Sequence, residues 1–200
     1  MVLKRVILLV FIPFFIYSMS VEDLDSLINE GRYQEAKEKF EASDLSRKEL
    51  KVIERALKIY SNTGPRKTYY DYLASYILSG GSPRYQDVWD AAMGFFEIKD
   101  YENTIIFCKY CNYLSPNNHS VFNLIGVTYY YLKKYDLSII GLRSAVKLMP
   151  NEAIYLANLA RSYEETGDYK NAYKYYKLSY EKDPNFGRAR SGVERLKNMQ

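Results

Sequence analysis

The sequence predicts an all-α solenoid of stacked helix–turn–helix units closed by a C-terminal cap helix, and three observations predict it. Pro116, Pro150 and Pro184 recur at an interval of 34 residues. At that interval four columns match in kind: Val88, Phe122 and Leu156; Ala91, Ile125 and Leu159; Ala92, Gly126 and Ala160; Phe95, Tyr129 and Tyr163. A second set follows in each copy: Tyr101, Tyr135 and Tyr169; Thr104, Ser138 and Ala172; Cys108, Leu142 and Tyr176; Cys111, Ala145 and Ser179. Each set has the three- and four-residue steps that put side chains on one face of a helix. A short turn between the two helices makes them antiparallel neighbours, and the small residues at Ala92, Gly126 and Ala160 let their backbones approach closely.

Taken in order, the chain opens on a different object. Met1 to Arg5 carries two positive charges, Val6 to Tyr17 is apolar, and Ser18-Met19-Ser20 offers small residues where a signal peptidase reads. Residues 1–20 are therefore expected to be a secretory signal peptide cut before Val21. A helix of the apolar stretch reaches about 18 Å, short of the roughly 30 Å of a hydrocarbon core. An uncleaved anchor is the alternative. The mature chain is expected to be exported, to a bacterial periplasm, or tethered to the membrane if the segment stays.

Residues 21–84 read as degenerate units. Gly31, Tyr33, Ala36 and Phe40 reproduce a turn and second helix, with Tyr33 two periods before Tyr101. Ile53, Ala56, Leu57, Tyr60 and Gly64 fit a first helix and turn after a one-residue shift of register. Tyr69 then falls where a small residue belongs, which predicts an altered packing angle. Gly80-Gly81-Ser82-Pro83 breaks the chain and is the hinge candidate. Full units are expected at 85–118, 119–152 and 153–186. Gly167-Asp168-Tyr169 is a helix stop and restart, Gly supplying a left-handed cap and Asp an N-cap. The equivalent Lys99-Asp100-Tyr101 and Lys133-Lys134-Tyr135 lack the glycine, so strain is expected there. Over 187–200, Ala189, Val193 and Leu196 make a narrow apolar stripe among charged residues, the pattern of a terminal cap whose basic residues are solvated.

This period and alternation of large and small residues resembles the tetratricopeptide repeat, whose units stack into a superhelical solenoid. The resemblance implies that first helices line a concave groove holding a peptide or a partner's helix. By position, the groove residues would include Gln86, Trp89, Met93 and Phe96 from one unit and Asn123, Val127 and Tyr130 from the next. Asn158 and Arg161 complete the set of expected partner-binding residues. Trp89 has a second reading, as core packing against the degenerate unit before it. Some members clamp the carboxyl terminus of heat-shock chaperones with Lys, Asn and Arg; the matching places here hold Trp89, Met93, Leu124, Ile154 and Asn158. Only Asn158 is polar, so that specificity is not expected.

The inventory excludes most chemistry. The single histidine, His119, follows a turn and reads as a solvated residue at a helix start. No glycine-rich phosphate loop and no Cys/His set with zinc spacing is present, so no enzyme activity, metal or cofactor is expected. The net charge of +4 includes Lys4 and Arg5, leaving +2 from residue 21 onward, no electrostatic footprint for nucleic acid. Cys108-Lys109-Tyr110-Cys111 is a C-x-x-C without a preceding strand; both cysteines occupy packing columns and read as small core residues, with a local disulfide as the alternative. The 22 tyrosines exceed what packing columns need and leave some for recognition surfaces. The expected function is a non-catalytic protein–protein scaffold of the cell envelope. The alternatives are a structural component that self-associates through Tyr-rich faces and a thiol-active accessory using Cys108 and Cys111.

Overall fold

The computed structural model describes residues 19–199, so the expected leader lies outside the described residues except for Met19 and Ser20. The chain order is α1 (Val21–Asn29), α2 (Tyr33–Ala42), α3 (Leu50–Thr63), α4 (Arg66–Leu78), α5 (Tyr85–Glu97), α6 (Tyr101–Leu114), α7 (His119–Tyr131), α8 (Tyr135–Leu148), α9 (Ala153–Glu165), α10 (Tyr169–Lys182) and α11 (Gly187–Leu196). Each helix packs on its successor, and first helices of neighbouring units also meet, α1 on α3 and α7 on α9. This is an all-α solenoid. None of the described helices is long and apolar enough to cross a membrane.

The inward columns explain the stacking. Thr104, Ser138, Ala172, Cys108, Leu142, Tyr176, Cys111, Ala145 and Ser179 are all buried on the second helices. The buried hydroxyls among them are bonded, as burial requires: Thr104 Oγ1 donates to the Asp100 carbonyl (2.8 Å) and Ser179 Oγ to the Ala153 carbonyl (2.7 Å). On the first helices Val88, Phe95, Leu156 and Leu159 are buried, whereas Phe122, Ile125, Tyr129 and Tyr163 are half-buried.

The tight turns share one geometry. After α1, α5, α7 and α9 the residue past the cap has positive φ: Gly31 (74°), Lys99 (62°), Lys133 (57°) and Gly167 (79°). In each, the next residue's N–H bonds back to the helix, Arg32 to Leu27, Asp100 to Phe95, Lys134 to Tyr129 and Asp168 to Tyr163. These are Schellman motifs, and two of the four place lysine where glycine costs least. The hinge candidate takes the same form: Gly80 (φ 85°) and Gly81 donate to the carbonyls of Ile77 and Tyr76 and cap α4. Asp100 and Asp168 cap the following helices by accepting from the Asn103 and Asn171 backbone N–H groups.

Three clusters of buried side chains stand within the core. Met19, Leu24, Phe40, Val52 and Tyr60 belong to the first, at α1–α3; Tyr70, Leu73, Phe95, Phe107 and the two cysteines to the second, at α4–α7; Ala160, Tyr176 and Leu196 to the third, at α9–α11. Tyr69, the bulky residue at the small-residue place, is half-buried and packs against the first two clusters, joining the degenerate units to the regular ones. The terminal stripe of α11 closes the third.

Candidate functional site: the face of the first helices

Several side-chain contacts from one unit to the next join the first helices α5, α7 and α9 directly. His119 Nδ1 is 2.8 Å from the Tyr155 hydroxyl, Asn158 Nδ2 donates to Asn123 Oδ1 (3.1 Å), and the Tyr130 hydroxyl donates to Glu165 Oε1 (2.6 Å). The Phe96 and Tyr131 rings meet at 5.7 Å. Among the described residues no hydrogen bond, ion pair or ring contact joins α6 to α8 or α8 to α10. First helices thus sit closer together than second helices, which makes theirs the inner side of the curve. His119, read from the sequence as solvated, is half-buried and partnered by Tyr155.

The sequence-based site residues fall into three groups on these helices. Phe96, Tyr130 and Arg161 gather around Tyr131: the Phe96 ring edges it, the Tyr130 ring lies 5.8 Å from it, and the Arg161 guanidinium sits 3.9 Å above Tyr130 and 5.9 Å from Tyr131. Tyr101 stacks on Tyr131 from α6 at 5.7 Å. Burial, and then the bond to Glu165, raises the Tyr130 phenol to about 12. Asn123 and Asn158 are bonded to each other, and Arg188 of α11 donates to Asn158 Oδ1 (3.0 Å). Val127 is half-buried on the same helix as Asn123. Gln86, Trp89 and Met93 stand apart at the other end. Gln86 is exposed and donates to Asp90 Oδ1 (2.7 Å). Trp89 is half-buried and packs against the central core cluster. Met93 is exposed and borders a cavity of about 810 Å³ among α3, α4 and α5, with Tyr60, Arg66, Asp90 and Glu97 on its walls.

Sequence reasoning missed the contribution of α11. Its basic residues read as solvated, yet Arg195 makes a bidentate pair with Glu164 (2.8 and 2.7 Å), which also accepts from the Tyr176 hydroxyl (3.0 Å). The cap therefore occupies polar groups at the C-terminal end of the inner face. The cavity beside Met93 was missed as well, since residues of three helices from different units line it. Along the sequence they show no motif.

Charge on the face is lopsided. Asp87, Asp90, Glu97, Glu164 and Glu165 against Arg161 give α5, α7 and α9 a net −4. Arg84 pairs with Asp87 and Arg195 with Glu164. Asp90 and Glu97 form no ion pair among the described residues. They lie beside the exposed Met93 on the cavity wall. Cys108 and Cys111 are free and fully buried. Burial raises both thiols, Cys111 to about 12, so neither offers thiolate at neutral pH. The described residues hold no cluster of metal-ligating side chains. Of the tyrosines described, only Tyr113, Tyr131, Tyr169 and Tyr180 are exposed.

Comparison with known proteins gives the same architecture. The family model of the tetratricopeptide repeat matches residues 153–186. No curated protein matches the chain by sequence. Among solved structures, YrrB, described as a tetratricopeptide-repeat protein with an unusual peptide-binding site, is similar with a TM-score of 0.63 and 11% identity over 87% of this chain and 90% of its own. MamA from Desulfovibrio magneticus RS-1 has a TM-score of 0.61 and 14% identity over 74% of this chain and 82% of its own. The first tetratricopeptide domain of Spaghetti, bound to an HSP90 peptide, has a TM-score of 0.55 and 16% identity over 57% of this chain and 91% of its own. At these identities the likeness is one of fold.

Proposed function

We propose that this tetratricopeptide-repeat protein is a non-catalytic docking module that holds an extended or helical segment of a partner protein along the inner face of α5, α7 and α9. The observation that carries the reading is the exposed Met93 beside Asp90 and Glu97, opening onto the cavity among α3, α4 and α5. An apolar anchor flanked by carboxylates without ion pairs suits a segment with a hydrophobic side chain and neighbouring lysine or arginine. Two structural neighbours, YrrB and the Spaghetti domain, are described with peptide sites, which supports peptide capture in this architecture. The peptide on Spaghetti, SRMEEVD, is acidic. It suits neither a net −4 face nor the apolar residues at Trp89, Met93, Leu124 and Ile154, so the partner here is of the opposite charge.

The reading includes a place of action. The basic and apolar pattern of residues 1–20 supports export and a partner in the cell envelope. Recovery of the partner from crosslinked envelope extract tests both parts, with Met93→Lys, Glu97→Lys beside the unmodified chain. Both positions are exposed, so the variant keeps its fold, which circular dichroism checks. One envelope protein held by the unmodified chain and lost with the variant is expected. Equal recovery would move the site off this face, and a partner confined to the cytoplasm would overturn the envelope assignment.

A further inference from the structure

The second helices present a face that the groove does not use. Their inward columns begin at Thr104, Cys108 and Cys111, so residues 106, 109 and 113 point the opposite way, and the period repeats them at 140, 143 and 147 and at 174, 177 and 181. One column reads Lys109, Arg143 and Lys177, all exposed and none in an ion pair among the described residues. Beside it runs Ile106, Ile140 and Lys174, with Ile106 59% and Ile140 62% exposed. Over α6, α8 and α10 seven cations stand against Glu102, Asp136 and Glu181, a net +4 where the first helices carry −4. At the end adjoining α4 the face becomes apolar. Leu78 is 88% and Tyr113 77% exposed, and a groove of about 450 Å³ runs between α4 and α6, bordered by Ile77, Leu78, Ile106, Tyr110 and Tyr113 beside Lys109. The Tyr110 and Tyr113 rings stack at 5.9 Å.

We propose that this outer face docks on an anionic lipid surface, Leu78, Ile106 and Tyr113 entering the headgroup boundary while Lys109, Arg143 and Lys177 meet the headgroups. Aliphatic and tyrosine side chains beside a row of cations is the chemistry a charged bilayer interface selects, because burial and Coulomb attraction act on the same surface. A second copy fits less well. Two such faces meeting across a twofold axis set Lys109 against Lys177 and Arg143 against Arg143. The inner face of another copy offers Asp90, Glu97 and Glu165 as carboxylates without ion pairs among the described residues, too few for seven cations. Docking by the outer face leaves the inner one open to solvent and to its partner.

Vesicle co-sedimentation of the full chain tests this, with phosphatidylcholine alone and phosphatidylcholine mixed with phosphatidylglycerol. The comparison is among the unmodified protein, Lys109→Glu, Arg143→Glu, Lys177→Glu, and a control of equal charge change on α3 and the residues just before it, Lys48→Glu, Lys51→Glu, Lys58→Glu. Residues 1–20 are the same in all three, so their own contribution cancels. The expected result is a loss of roughly tenfold or more in partition onto the anionic vesicles for the outer-face variant, little change for the control, and a further loss for Leu78→Ser, Ile106→Ser. Equal loss in the two charge variants would reduce the effect to net charge and overturn the proposal. So would the absence of any loss. Sedimentation velocity supplies the remaining arm: self-association abolished by both the outer-face variant and Asp90→Lys, Glu97→Lys would assign the face to a second copy instead.

Discussion

Gly141 of α8 faces Gly126 of α7 so closely that a Cβ added at Gly141 would stand 3.0 Å from the Gly126 Cα. A Cβ at Gly126 would lie 2.9 Å from the Leu142 backbone nitrogen, and that atom cannot swing aside. Close approach also lets Ser138 Oγ reach the Gly126 carbonyl and Ser162 Oγ, each at 2.7 Å, a buried link from α7 through α8 to α9. Gly126→Ala gains about 1 kcal/mol of helix propensity and loses about 1–3 kcal/mol to overpacking. The expected outcome is a net loss of about 1 kcal/mol and a lower melting temperature. Gly187→Ala meets nothing within 4 Å and serves as the control, with stability unchanged or slightly raised. Thermal denaturation of the two variants decides between them.

Lys99 and Lys133 occupy the left-handed cap position that Gly31 and Gly167 fill in the other turns. A non-glycine residue there costs of order 1 kcal/mol, because its Cβ crowds the backbone. Lys99→Gly and Lys133→Gly are therefore expected to stabilise the protein by about 0.5–1 kcal/mol each, after the entropy that glycine adds to the unfolded chain. The turns lie in different units, so the double variant should sum the two gains. Chemical denaturation of the single and double variants measures this; a loss of stability would show that the lysine side chains hold these turns in a way the backbone geometry does not convey.

The regular part of the fold was legible because stacking repeats the same constraint at one period. Every second-helix column beginning at Thr104, Cys108 and Cys111 is buried, and the missing turn glycines do appear as strained lysines. The candidate site was less legible, since it depends on what meets across units. Tyr131 becomes the centre of an aromatic group only when Phe96, Tyr101 and Tyr130 arrive from around it. Arg188 and Arg195 looked solvated because their partners, Asn158 and Glu164, lie about 30 residues earlier in the chain. Trp89 resisted assignment for a related reason: its ring is half-buried and packs against the central core cluster at the junction with the degenerate units, a contact that the 34-residue pattern does not encode.

Ser20 and Asp23 form a capping box at the start of α1. The Asp23 N–H donates to Ser20 Oγ (3.1 Å), and the Ser20 N–H and hydroxyl donate to Asp23 Oδ2 (2.9 and 3.0 Å). Met19, 4% exposed, packs into the first core cluster. A cut before Val21, where the sequence places it, would remove both. Loss of the cap costs about 1 kcal/mol, and loss of the buried Met side chain about 1.5–3 kcal/mol. Hydrogen exchange of chains beginning at Met19 and at Val21 is expected to show protection of the α1 amides falling roughly tenfold or more in the shorter form, with α7–α10 unchanged. Equal protection would mean that packing of Leu24, Leu27 and Ile28 alone holds the helix.

Alkaline pH should unfold this protein through its tyrosines. Burial, reinforced by a bond to a carboxylate, raises the phenols of Tyr60 (to Glu41, 2.8 Å), Tyr130 (to Glu165) and Tyr176 (to Glu164). Burial also raises Tyr69, Tyr70, Tyr85 and Tyr163. A phenol raised in the folded state and ordinary, near 10, in the unfolded chain favours folding fully below about pH 10. That contribution declines as pH rises through the folded values, near 12 for Tyr130. Stability is therefore expected to fall steadily above pH 10. Absorbance at 295 nm and far-ultraviolet circular dichroism, followed together, test the coupling. The raised tyrosines should ionise in one steep step coincident with loss of helix, after a shallow phase from exposed ones such as Tyr113. Ionisation of every tyrosine near pH 10 with the helices intact would show that burial does not hold these phenols neutral.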